Sequence, residues 1–212
     1  MPERPRWVSP VTSTRFRDVT AVEAEVERGR IEIGSRRGPD VRVRTTVTLL
    51  GWRARLAARR TPRLPEPTVE DGLLRVRGGR GLVRLQIDVP AGSRVRASVT
   101  EGDLTMWGVG GHLDLRVGRG ILAGRDLSAR SVRAVNGDGE VNLHFAEVPG
   151  EVDGATASGA VLLVLPPAPY RVDTQPSAEV TVPLGGDDAS SVRAVSAAGS
   201  VSVLVATGSE AI

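Results

Sequence analysis

Cysteine is absent from the 212 residues, which excludes disulfides, thiolate metal sites and cysteine nucleophiles. Lysine is absent too, so all 28 basic residues are arginine. Aromatic residues are scarce, with three Trp, two Phe and one Tyr. Any core must therefore be filled by Val, Leu, Ile and Ala, which suits a narrow, regular interior where each small aliphatic stacks on its equivalent. Long apolar runs are missing: Ala160 to Leu165 is too short to cross a bilayer, and Met1-Pro-Glu-Arg-Pro-Arg-Trp7 has no apolar stretch of a signal peptide. A soluble, cytoplasmic protein is the expectation.

What is present is a repeat. Six times an aliphatic residue is followed seven positions later by glycine and then by an aliphatic at offset nine, and in all but the Leu113 copy by another apolar residue at offset eleven: Val22 and Gly29, Val95 and Gly102, Leu113 and Gly120, Val132 and Gly139, Val152 and Gly159, Val192 and Gly199. From Val95 on, the starts are separated by 18, 19, 20 and 40 residues, and a degenerate copy at Val172 splits the last gap. In that copy Glu179 stands at the glycine offset and Val180 and Val182 arrive one residue early, so a one-residue deletion is expected. A period near 20 is the mark of stacked coils, each burying a face that it could not bury alone.

Side chains alternate along a strand, so each coil sends one set inward and the other outward. The inward columns are aliphatic. The outward column, in chain order, reads Arg96, Asp114, Arg133, Asp153, Asp173, Arg193, and four of its five neighbouring pairs join opposite charges. This alternation was not used to find the repeat and supports its register independently.

Residues 1–20 form a polar lead-in, 21–89 an N-terminal strand region, 90–205 the repeats and 206–212 a flexible tail, with 20–205 as one continuous domain. Near 52–60 the strand pattern gives way to helix formers ending before Thr61-Pro62. In this insertion Trp52 and Leu56 share a face, and Arg53, Arg55, Arg59, Arg60 and Arg63 are the candidates for an anionic partner, a membrane surface among them, or for a capping helix over the strands. The expected fold is all-β: a right-handed parallel β-solenoid with an N-terminal strand region and one short helix.

Val89-Pro-Ala-Gly-Ser-Arg-Val95, Val132-Arg-Ala-Val-Asn-Gly-Asp-Gly139 with Val141 and Leu143, and Ala194-Val-Ser-Ala-Ala-Gly199 with Val201 and Val203 resemble a bacterial family of β-strand-repeat proteins of unknown function regarded as candidate adhesins. The resemblance spans roughly residues 20 to 205. It implies a parallel β-roll or β-helix and no catalytic residues.

Candidate chemistry is sparse. His112 and His144, the two histidines, lie in different coils. Asn136-Gly-Asp-Gly139 is a tight turn rather than a calcium loop, so no metal, cofactor or catalytic residue is assigned. Asp114, Asp138, Asp153 and Asp173 raise the alternative of a polysaccharide-acting enzyme on a β-helical frame, which needs two converging carboxylates. Charge is uneven: residues 1–96 hold 21 Arg against 11 acids, and 97–212 hold seven against 14. Opposite charge at the two ends favours a non-enzymatic scaffold or binding module, self-associating through ends or edges or holding a protein or polysaccharide, with no specific nucleic acid.

Overall fold

Alternation of aliphatic and polar residues turns most of the chain into strands. The computed structural model describes residues 6–8, 11–50, 66–79, 81–176, 178–186 and 188–206. Among these are seventeen strands and no helix. The helix expected near 52–60, with Trp52, Arg53, Arg55, Leu56, Arg59, Arg60 and Arg63, lies outside the described residues.

In chain order the N-terminal strands are β1 (Arg6–Val8), β2 (Thr12–Phe16), β3 (Ala21–Arg36), β4 (Val41–Leu50), β5 (Thr68–Glu70), β6 (Leu73–Arg77), β7 (Leu82–Pro90) and β8 (Arg94–Trp107). Then come β9 (Gly110–Arg119), β10 (Leu122–Asp138), β11 (Val141–Phe145), β12 (Glu151–Ser158), β13 (Val161–Leu165), β14 (Tyr170–Gln175), β15 (Glu179–Val180), β16 (Ser190–Ala198) and β17 (Val201–Val205). They join in one open sheet of mixed direction. Equivalent residues of the repeat lie opposite one another in parallel register: Val22 against Val95, Val95 against Leu113, Leu113 against Val132, Val132 against Val152. The N-terminal edge departs from this. There β1, β2 and β7 run antiparallel to β4, and β5 runs antiparallel to β6, to which the two-residue turn Asp71-Gly72 joins it.

The long strands β3, β8 and β10 each bend at a corner and so belong to two limbs of the sheet. In the first limb the order is β5, β6, β3, β8, β9, β10, β12, β16, β14, and in the second β4, β7, β3, β8, β10, β11, β13, β17, β15. Aliphatics from both limbs form one buried cluster.

The corners explain the glycines. At Gly29, Gly102, Gly120, Gly139 and Gly159 φ lies between 124° and 140°, a region L-residues avoid. These glycines also stack. A Cβ on Gly102 would land on the carbonyl oxygen of Gly29, one on Gly120 on that of Gly102, and so on through Gly139, Gly159 and Gly199.

Two expectations about order need correction. The coils do not stack in chain order: β16 lies between β12 and β14, and β17 between β13 and β15. The last coil of the sequence is thus inserted inside the degenerate one. To leave that gap the chain must step across two strand spacings, about 9.6 Å, and the Pro166-Pro167-Ala168-Pro169 link, extended by its prolines, makes the step. The N-terminal end does the same. Residues 73–90, expected as strands preceding the repeat, are an outer coil on β3, and the chain then returns to the inner side of β3 as β8.

The degenerate corner is also shorter than expected. Val172 and Val180 lie opposite Val192 and Val203, so eight residues cover what eleven cover in the neighbouring coil. At the other end Leu74 to Leu85 spans eleven residues where Val22 to Ile31 spans nine. Each of these two coils meets another coil on one side only, the 73–90 coil being flanked on the other by antiparallel β4 and β5, so the corner of each is free of the glycine spacing.

The stack makes one glycine test decisive. Gly120→Ala should cost about 3 kcal/mol or more, since it combines a forbidden φ with a backbone collision. Gly186→Ala, where a Cβ meets nothing within 4 Å, should change stability by less than about 0.5 kcal/mol. Urea denaturation of both variants checks this, and equal costs would contradict the stacked-corner account.

Candidate functional site

The largest chemically varied surface is the outer face of the first limb. In spatial order its central row reads Arg75, Glu23, Arg96, Asp114, Arg133, Asp153, Arg193, Asp173. Every neighbouring pair now joins opposite charges. The one like-charged pair in chain order, Asp153 and Asp173, is separated in the structure by Arg193.

Geometry matches the row. Arg75 Nε lies 3.2 Å from Glu23 Oε2, Arg96 Nε 3.1 Å from Asp114 Oδ2, and Arg133 Nε 3.8 Å from Asp153 Oδ2. Arg193 bridges Asp153 at 4.0 Å and Asp173 at 3.9 Å. Arg116 adds a contact to Asp114 at 3.4 Å. A second row nearer the corner alternates as well: Arg28 meets Glu101 at 2.8 Å, Glu101 faces Arg119 in register, and Arg119 meets Asp138 at 3.4 Å. These pairs are largely exposed, and each contributes under about 1 kcal/mol. Their collective effect is on register, because a slipped coil would set like charges about 4.8 Å apart.

At the N-terminal end of this face a cleft of about 600 Å³ opens beside Glu23, Asp71, Arg94, Arg96, His112 and Asp114. Glu23 and Asp114 are committed to arginines there. Asp71 sits in a turn at φ 49°, where a short polar side chain tolerates the left-handed region. The four candidate aspartates are not brought to one cleft: Asp114 lines it, Asp153 and Asp173 lie farther along the row, and Asp138 belongs to the corner row. The histidines stay apart, His112 on the cleft and His144 on the outer face of the second limb in register with Val164. Among the described residues no group of three His, Cys, Asp or Glu could hold a metal.

One ladder had escaped the sequence reading. Asn136, Thr156 and Ser196 lie opposite one another, all buried, at a position that carries Val26, Val99 and Val117 in the preceding coils. Asn136 Nδ2 donates to the carbonyl of Gly120 at 2.9 Å and to that of Glu140 at 3.0 Å. Thr156 Oγ1 donates to Gly139 O at 2.9 Å, and Ser196 Oγ to Gly159 O at 2.8 Å. Each side chain thus occupies the room that the corner glycine leaves and satisfies the carbonyl of the previous coil. The signal was in the sequence: the same inward column changes from Val to Asn, Thr and Ser.

His144 has its pKa held below the usual imidazole value of 6.5, by burial first and then by Arg125, with Asp126 acting the other way. Tyr170, fully buried, donates its hydroxyl to Pro166 O at 3.0 Å, and burial pushes its pKa up.

No family model and no curated protein matches the chain. Among solved structures it is similar to a candidate cell adhesion protein from Clostridium sporogenes, with 8% identity, TM-score 0.49 and coverage of 93% of this chain and 99% of that one. It is also similar to a candidate adhesin from Bacteroides fragilis, with 10% identity, TM-score 0.47 and coverage of 93% and 97%.

Two outcomes are expected here. Asn136→Val should lower stability by about 1–2 kcal/mol by stranding the Gly120 carbonyl, the Glu140 carbonyl keeping its bond from Leu122 N, whereas Asp153→Asn should cost less than about 1 kcal/mol. Melting curves of the two variants distinguish buried from exposed polar ladders. For His144, the unfolded chain takes up a proton at higher pH than the folded one, so its contribution destabilises as pH falls through the 6.5 of the free imidazole. Urea midpoints at pH 7.5 and 5.5 should differ less in His144→Gln than in the native chain.

Proposed function

We propose that the protein is a non-enzymatic, adhesin-like binding scaffold built as a right-handed parallel β-solenoid. Parallel pairing of equivalent residues about one repeat apart supports the solenoid, and the near-universal hand of parallel crossovers supports its right-handedness. The observation that carries the functional reading is the uninterrupted alternation of charge along the central row, with ion pairs at most of its steps. Asp114, Asp153 and Asp173 each stand beside an arginine, so they are not the free, converging carboxylates that a polysaccharide-cleaving enzyme uses.

The surfaces that a partner would meet are the broad outer faces. Two of the edge strands are short, β5 with three residues and β15 with two, and Pro166, Pro167, Pro169, Pro176 and Pro183 crowd the C-terminal edge, which favours binding through the faces.

Incubating the protein with acidic and neutral polysaccharides should yield no shortened products, while immobilised protein should retain a macromolecular partner. Depolymerisation would establish the enzyme alternative instead. A chain that is monomeric by light scattering at low salt and retains no partner would remove the support for a scaffold.

A further inference from the structure

The second limb carries, at its N-terminal end, arginines that no ion-pair row uses. Register sets Arg15 opposite Arg42, Arg42 opposite Asp88, Asp88 opposite Gly34, and Gly34 opposite Trp107. Arg44 on β4 and Arg36 on β3 lie two residues along from Arg42 and Gly34, and therefore on the same outer face. Among the described residues one carboxylate meets this group, Asp88, at 4.0 Å from Arg44. Glu32, the next nearest on that face, is held by Arg84 at 2.9 Å.

Two guanidinium nitrogens here, Arg36 Nη1 and Arg42 Nε, are buried and have no hydrogen-bond partner among the described residues. Buried donors left unsatisfied are costly, and clustered like charges repel. The pKa of Arg42 is lowered accordingly, by Arg15 first, then by burial, Arg36 and Arg44, with Asp88 opposing. An anion bound at the exposed nitrogens of these guanidiniums offsets the like-charge repulsion.

Trp107 defines the anion's carrier. The residue is 40% exposed and its ring covers Gly34, with Cε2, Cζ2 and Nε1 within 2.7 Å of where a Cβ would stand. The missing side chain lets the indole lie over the sheet as a platform beside the arginines. A ligand that fits must offer an apolar ring face, anionic groups for the guanidiniums and hydroxyl donors for Asp88. A single-stranded nucleic acid offers phosphates and a base to stack, but DNA brings no hydroxyls along its backbone for Asp88.

We propose that this face binds an acidic saccharide, its pyranose ring on Trp107 and its carboxylate or sulfate on Arg36 and Arg42. The assignment rests on the reading of the protein as a binding scaffold and names its ligand class.

Calorimetric titration of the full chain with oligogalacturonate, a heparin-derived oligosaccharide, a neutral cello-oligosaccharide and a single-stranded oligonucleotide tests it. One acidic saccharide should bind, and the responding arm identifies carboxylate or sulfate. Affinity should fall about tenfold or more in Trp107→Ala and in Arg42→Gln, and stay unchanged in Arg193→Gln on the first limb. Arg15→Gln, at an exposed edge position, should also weaken binding and serves if either inner variant loses its native melting transition. No binding of either acidic saccharide at millimolar concentration, equal affinity in all variants, or tighter binding of the oligonucleotide would overturn the assignment. A macromolecular partner retained by a protein that ignores both acidic saccharides would leave the scaffold standing and refute this site alone.

Discussion

The architecture depends on a volume that must stay empty. At each corner the backbone of one coil passes so close to the carbonyl of the previous coil that no Cβ fits between them. Only glycine permits both that approach and the positive φ that turns the chain from one limb to the other. Once the corners stack, the aliphatic columns fall into line behind them and the charged columns fall into line outside. Where the gap is not closed by packing alone, Asn136, Thr156 and Ser196 fill it with a donor. Corner, core and surface are thus three consequences of one spacing.

That constraint was legible in the sequence because it acts locally and recurs. The spacing from Val22 to Gly29, found again at five later positions, set the register that the pairing follows. Chain order hid the rest. The stacking order of coils is not a local property, and a period says nothing about which neighbour a coil chooses. The outward column nevertheless carried the answer, since Asp153 beside Asp173 was its single breach and placing Arg193 between them removes it. The coil at residues 73–90 was obscured differently: its corner is longer, so Val83 rather than a glycine faces Gly29. The arginines around Trp107 were invisible as a group because Arg15, Arg36, Arg42 and Trp107 come from four strands that only the antiparallel N-terminal edge brings side by side.

The two outer faces have different electrostatic characters. On the first limb the central row alternates in sign, so along it opposite charges stand one strand spacing apart. On the second limb, near β4, arginines accumulate with one carboxylate among them. Charge used for alignment is spent locally, and charge left unanswered is available to something outside the chain. The uneven distribution along the sequence is therefore a difference between faces as much as between ends.

The interlocked ends carry a consequence for how such a chain can change length. In an ordinary stack of repeats, material is gained or lost at the tips, where a unit touches one neighbour. Here the final coil, residues 190–205, is held on both sides, and so is the early coil at residues 21–36. Deleting either would open a slot one strand wide in each limb, in the middle of the sheet rather than at its tip. Duplication of a coil between Arg94 and Ser158, by contrast, would slide in between stacked glycines and leave both locks untouched. The molecule is built to grow from its centre.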